Sequence, residues 1–238
     1  MCNGSIMDKL ISFSLPLMVS GILQLAFNAV DIIVVGRFSG SQALAAVGST
    51  TALINVFTNL FIGISLGANV LAARFYAAGK DREMSETVHT SITLALISGI
   101  MMAVIGVLLA KWALEIMGTP DDVIGQSALY MRIYFMGMPF FMLYNYGAAI
   151  LRAIGDTKRP LIFLIISGIA NAALNMTLVI LFHMGVAGVA IGTIISQLIS
   201  CVLVLTCLYR SEGSYQLRFS KLKINGAYME QIFQVGVP

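Results

Sequence analysis

The chain alternates long apolar runs with short polar breaks. The runs fall at Leu10–Val35, Ala43–Ala73, Val88–Leu109, Ile124–Ile150, Pro160–Phe182 and Val186–Leu208, each more than 20 residues long. A helix rises ~1.5 Å per residue, so runs of this length cross the ~30 Å hydrocarbon core of a bilayer. They lack the alternating ten-residue pattern of a membrane barrel. The pattern therefore predicts an all-α membrane protein, a bundle of six transmembrane helices. The second run is overlong and is expected to begin with an interfacial turn near Ser39-Gly40-Ser41, and the third ends near Trp112, an anchor at the membrane–water boundary. Pro139 removes one backbone donor within the fourth run and should bend it.

Composition places the same chain in lipid. Hydrophobic residues make up 58% and charged residues 11%, against roughly 25% charged in a soluble domain. The mean hydropathy of +0.91 is more than one buried core can use, so lipid is the solvent for most of the chain. The net charge of +3 comes from basic residues in the polar breaks, which argues against a nucleic-acid-binding face. With the amino terminus in the cytoplasm, Lys9, Arg74, Lys80, Arg82, Arg152, Lys158, Arg159, Arg210, Arg218, Lys221 and Lys223 lie inside. Arg37, Lys111 and Arg132 lie outside. Eleven of the fourteen basic residues on one side is the positive-inside bias, and the reverse orientation would invert it.

Enzyme chemistry is not written in the chain. There is no metal-spaced His or Cys cluster, no phosphate loop and no nucleophile with a base. His89 and His183 stand alone near span ends and read as solvated or interfacial residues. Cys2, Cys201 and Cys207 have no metal-ligand spacing and read as small apolar residues. The first run is too long for a signal-peptide core and has no basic cluster ahead of it, so it should be retained as a span.

The segmentation suggests residues 1–209 as a six-helix lobe and 210–232 as a cytoplasmic linker. Residues 233–238 would then begin a seventh helix that is cut short. The sequence Gln231-Ile232-Phe233-Gln234-Val235-Gly236-Val237-Pro238 echoes Ile11-Ser12-Phe13-Ser14-Leu15-Pro16, where the first span starts. Pro16 and Pro238 are 222 residues apart, the length of one six-helix unit, so a second copy is expected to follow. Transporters are often built from such repeats, with substrate sites where the repeats meet.

Polar residues within the runs are the candidate chemistry. Asp31 is the one acidic residue well inside a span, and Gln24 and Asn28 share its helical face at spacings of seven and three. A carboxylate in a bilayer costs ~2.5–3.5 kcal/mol even on a lenient scale, so such residues usually face a cavity on an ion or proton path. The alternative is an interfacial Asp paired with Arg37. Asn171, Asn175 and Thr177 lie in the fifth run, and Thr193, Ser196, Gln197 and Ser200 in the sixth. Asn175 and Thr193 each fall ~12 Å from the outer end of their helices, and Asp31 lies up to about two turns shallower, which leaves room for a common site in the outer half. An Asp with amide and hydroxyl oxygens is a hard-oxygen set suited to sodium or a proton, so Asp31, Asn171 and Thr193 are the candidate sodium ligands. The alternative for Asn171, Asn175 and Thr193 is interhelical hydrogen-bond glue.

Asn55, Thr58 and Asn59 form a second stripe, with Gly63 and Gly67 beyond it as a close-packing pair. The fourth run carries Met131, Met136, Met138, Met142, Tyr130, Tyr134 and Tyr144. That set suits a soft, aromatic lining for organic cations or, as the blander reading, plain packing. Gln24, Asn28, Asn55, Asn59, Tyr134, Met138 and Gln197 are thus the candidate cavity residues.

Three blocks carry a resemblance. Val30-Asp31-Ile32-Ile33-Val34-Val35-Gly36-Arg37 followed by Ala43-Leu44-Ala45-Ala46-Val47-Gly48 resembles the first-span signature of multidrug and toxic compound extrusion (MATE) transporters. Arg152-Ala153-Ile154-Gly155-Asp156-Thr157-Lys158-Arg159-Pro160 is similar to that family's inner loop between the fourth and fifth helices. Gly185-Val186-Ala187-Gly188-Val189-Ala190-Ile191-Gly192-Thr193 is similar to the start of its sixth.

The resemblance implies one lobe of a twelve-helix, two-lobe exporter in the plasma membrane, the inner membrane of a bacterium. Such an exporter exchanges protons or sodium for organic, often cationic, small molecules by alternating access, without a cofactor. It also implies that Asp31 binds the coupling cation or proton, joined by Asn171, a carboxylate four residues on, and Thr193. Here that carboxylate position is Asn175, so Asp31 is the lobe's one such group and a family-like sodium site loses a charge. The rivals are a lipid-linked precursor flippase of the same superfamily, which would line its cavity with basic residues, and a non-transporting scaffold subunit.

Overall fold

The structure is a computed structural model that describes residues 6–236; Cys2, Val237 and Pro238 lie outside the described residues. Among the described residues are eight α-helices and no strand: α1 (Ile6–Phe38), α2 (Gly40–Ala77), α3 (Asp81–Ile116), α4 (Asp121–Met136), α5 (Met138–Ala153), α6 (Lys158–Met176), α7 (Gly185–Arg210) and α8 (Gly226–Gly236). Helices α1, α2, α3, α6 and α7 are each long and apolar enough to cross a membrane, α6 with its π-helical extension Thr177–Leu181. Several outrun their apolar runs, because the backbone ladder continues into water once lipid has fixed the middle of the helix. The α3 helix starts at Asp81, with Asp81 and Glu83 in its first turn where acidic groups suit the helix dipole.

The fourth expected span is two helices. The ladder breaks where α4 ends and α5 begins: Gly137 N–H donates to Tyr134 O, and the N–H groups of Phe140 and Phe141 both donate to Gly137 O. Pro139 has no N–H to give to Phe135, which is the physical reason for the break. This bent span is the centre of the bundle. Helices α4 and α5 each pack against α2, α3 and α7, while α6 packs on α7 and α1 closes the edge against α6 and α2.

The bend is held by close backbone approach. A Cβ added at Gly99 of α3 would overlap Pro139, and one at Gly137 would come within 2.7 Å of Gln197 Oε1 on α7. Small residues at such crossings let dispersion contacts form where lipid offers no hydrophobic drive. Around the bend Phe135, Met131, Met138, Met142 and Tyr146 are fully buried. Met138, expected to line a cavity, is therefore a core residue at 1% exposure. The position next to the bend points it between packed helices, and this fits the packing reading of the methionines.

Within the expected linker, residues 211–225 form a strap fitted to the bundle. Leu217 is fully buried, and its N–H donates to Leu208 O at 3.0 Å. Arg218 N–H donates to His89 Nε2 at 3.1 Å, while His89 Nδ1 is 2.6 Å from Ser85 O. Thr90 Oγ1 donates to Lys223 O and accepts from Asn225 N–H. Asn225 Nδ2 donates to Glu86 Oε2 at 2.9 Å. His89, read from sequence as solvated or interfacial, is 3% exposed and serves as an acceptor for backbone.

The last helix starts at Gly226 rather than at 233. Asn225 caps it by accepting from Ala227 N–H, which lets the helix begin seven residues sooner. Helix α8 then packs on α2, its Gly236 against Gly63 and its Ile232 carbonyl against Gly67, with Phe75 and Tyr228 edge to face at 5.6 Å.

Candidate functional site

Three helices meet around Asp31. On α6, Asn171 and Asn175 lie one turn apart on the face toward α7, at 5% and 0% exposure. On α7, Gly192 leaves open the space that a Cβ would fill, and the Asn175 amide oxygen occupies it. The amide is thereby turned so that its N–H group faces α1.

The hydrogen bonds run in one direction from that amide. Asn175 Nδ2 donates to Asp31 Oδ1 at 2.5 Å and to Asn171 Oδ1 at 3.3 Å. Asn171 Nδ2 donates to Thr193 Oγ1 at 3.5 Å, and the Thr193 hydroxyl donates to Val189 O at 2.9 Å. Asp31, Asn171, Asn175 and Thr193, far apart in the chain, are thus one connected set. The oxygens of Asn171 and Thr193 already accept N–H groups. The acceptor left over is Asn175 Oδ1, fully buried and without a hydrogen-bond partner.

A soft wall stands beside this set. Tyr130 and Tyr134 lie on α4, which packs against α7, where Gln197 stands one turn beyond Thr193. The two tyrosine rings are 6.1 Å apart, and Tyr134 meets Phe135 edge to face. Gln197 Oε1 is buried without a partner against Gly137. At the bend, Gly137 lets the fourth span approach Gln197 and Ile194 of α7.

The other candidates are not drawn in. Gln24 and Asn28 of α1, and Asn55 and Asn59 of α2, are exposed along the sides of their helices. Only Asp31 of the first stripe turns into the lobe. Sequence reading missed Gly192, Gly168 and Phe27, which touch the set or its frame; their signal is small or aromatic residues at helical spacing from the polar ones. Among the described residues, no group of three or more His, Cys, Asp or Glu is placed to hold a metal ion.

The family model named MatE matches residues 16–177, a stretch that contains Asp31, Asn171 and Asn175. The chain belongs to the MATE family. It is 34% identical over 235 residues, 95% of this chain and 50% of the relative, to "Probable multidrug resistance protein YoeA" of Bacillus subtilis (strain 168). It is 27% identical over 99% of its length to "Multidrug export protein MepA" of Staphylococcus haemolyticus (strain JCSC1435), covering 52% of that protein. A crystal structure of MATE in the bent conformation superposes with a TM-score of 0.91 at 22% identity, covering 99% of this chain and 52% of that one. The MATE lobe thus spans about half the length of the curated relatives it matches, their amino-terminal half. It is a multi-pass membrane protein of all-α fold.

Proposed function

We propose that this lobe belongs to a multidrug efflux antiporter that exchanges protons for organic, often cationic, small molecules, with Asp31 as the coupling carboxylate. The relatives' names support the export of drugs. The contact between Asp31 and Asn175 carries the choice of ion. A hard metal cation needs several converging oxygens, whereas the group facing Asp31 is an N–H donor and the oxygens of Asn171 and Thr193 are already engaged.

A proton suits the same residues. Protonation turns the Asp31 carboxylate from an acceptor into a donor, so it then needs an acceptor. Asn175 Oδ1, buried and unpartnered, is that acceptor after the amide turns over. One amide therefore serves both protonation states, which a second carboxylate would do only by sharing the proton. Neutralising Asp31 also removes the cost of a charge held in the bilayer.

The drug enters through the same charge. An ionised Asp31 beside Tyr130, Tyr134 and Gln197 attracts an organic cation by Coulomb and cation–π terms, and a protonated Asp31 does not. Proton and drug thus compete for one site, and a ligand shifts a two-state equilibrium only by its differential affinity. We place the amino terminus and the strap in the cytoplasm, in line with the basic residues, and the transporter in the plasma membrane.

The test uses the complete transporter in proteoliposomes. Asp31→Asn is expected to cut proton-driven export of a cationic dye to below about a hundredth of the wild-type rate, since no other group of this set changes charge. Sodium added at a fixed proton gradient should leave the wild-type rate unchanged. Wild-type export by Asp31→Asn would sink the role of Asp31, and a rate that follows sodium would sink the choice of ion.

A further inference from the structure

Phe27 lies one turn before Asp31 on α1, and its ring rests on Gly168 of α6, where a Cβ would overlap the ring edge. Gly168 in turn shares a face with Asn171 and Asn175, three and seven residues on. Phe27 and Asp31 on one helix are therefore matched to Gly168 and Asn175 on the other, in the same order along the bundle. On the opposite side of Asn175, Gly192 receives the amide oxygen and stands next to Thr193. Two missing side chains thus hold the amide between them. One sets how closely α1 approaches α6, and the other sets which way the amide points.

We propose that Gly168 and Gly192 are positioning residues for coupling: Gly168 seats the Phe27 ring so that Asp31 meets Asn175, and Gly192 makes room for the Asn175 amide to turn between the protonation states of Asp31. The proposal rests on the reading of Asp31 as the coupling group. It explains why an amide with a fully buried, unpartnered oxygen persists at this place. The oxygen lies in a space that only glycine leaves open, next to the one carboxylate whose protonation would give it a partner. A Cβ at 192 would push the amide out of the set, and a side chain at 168 would push α1 away from α6. Neither change alters the carboxylate chemically; each alters how it meets the amide.

Mere close packing makes a different prediction, because it would lower stability and every transport mode together. The experiment therefore compares two modes in the complete transporter: uptake of a cationic dye driven by a proton gradient, and dye-for-dye counterflow, which needs no proton. Gly192→Ala should lower the driven rate about tenfold or more, the factor carried by one hydrogen bond to a charged group. Counterflow should fall far less. Gly168→Leu should do the same, and Phe27→Ala combined with Gly168→Leu should restore much of the driven rate, because the leucine then fills the space that the ring has left.

Equal losses in both modes, wild-type driven uptake by Gly192→Ala, or no recovery in the double variant with the protein still folded by thermal unfolding would each overturn the proposal. If Gly168→Leu does not fold, Gly192→Ala and the double variant still decide it. Asp31→Asn run alongside separates the two readings. A fully active Asp31→Asn removes the coupling role itself, whereas an inactive one beside a fully active Gly192→Ala removes only the positioning.

Discussion

Two polar regions of this lobe are built in opposite ways. The strap at the end of the bundle where α1 begins is held by backbone groups: Leu217 and Arg218 N–H, Lys223 O and Asn225 N–H all find fixed partners on α7 or α3. The set around Asp31 uses almost no backbone. It joins three helices through side chains alone, ends on a carboxylate that is partly exposed, and leaves one buried acceptor unpaired. Each strap bond has a backbone group on at least one side, and a backbone group cannot rotate away or change charge, so the strap holds one arrangement. A side-chain amide between a carboxylate and an open space has two. The difference separates what holds the lobe from what switches it.

Leu217 should show the largest effect on the holding side. It is fully buried between the strap and the bundle, and Leu217→Ala is expected to cost about 2–4 kcal/mol in a core of this kind. The check is the unfolding midpoint of the detergent-solubilised protein, with dye transport measured per folded molecule. The midpoint should fall while the driven rate per molecule stays close to wild type. A driven rate that falls as steeply as stability would make the strap part of the switch and end the comparison.

Asn175→Ala should show the reverse. Losing a hydrogen bond to a charged group is worth about 1.5–3 kcal/mol, so proton-driven uptake should fall about tenfold or more. Stability should move less, because Asp31 keeps some access to solvent and the bond to Asn171 is long. If the midpoint fell with unchanged driven transport, Asn175 would be interhelical glue, and the set around Asp31 would be of the same kind as the strap.

The sequence makes the two regions unequally legible. Asp31, Asn171, Asn175 and Thr193 stand out as polar residues in apolar runs, and their depths, counted from the span ends, are compatible with a common site. Hydrogen bonds join the four into one set. Phe27, Gly168 and Gly192 do not stand out, since aromatic and small residues are ordinary in membrane helices and only the packed pair shows what each is for. Met138 was legible as soft and apolar, but the bend at Gly137 decides that it faces the core. The strap was the least legible. Its residues are polar and carry no period, so composition reads them as a linker, while the partners that fix them lie more than 120 residues earlier on α3. Asn225 hides a helix start for a similar reason: a cap is a single residue, and the apolar pattern behind it is short.

His89 offers the smallest and most discriminating change. Its ring bridges two backbone groups: Nδ1 is 2.6 Å from Ser85 O, and Nε2 accepts Arg218 N–H. The geometry assigns the neutral tautomer with the proton on Nδ1, because an acceptor is needed at Nε2. His89→Leu keeps most of the volume and removes the acceptor, so the Arg218 N–H is left without its partner at the strap. The cost should be about 1 kcal/mol, the usual net worth of one neutral hydrogen bond, read as a small drop in unfolding midpoint with proton-driven transport unchanged. His89→Gln restores an acceptor on a flexible stem and should recover part of the loss. A midpoint unchanged in His89→Leu would mean that Thr90, Asn225 and the buried Leu217 hold the strap unaided. A loss of coupling with stability intact would move His89 from the holding side to the switching side.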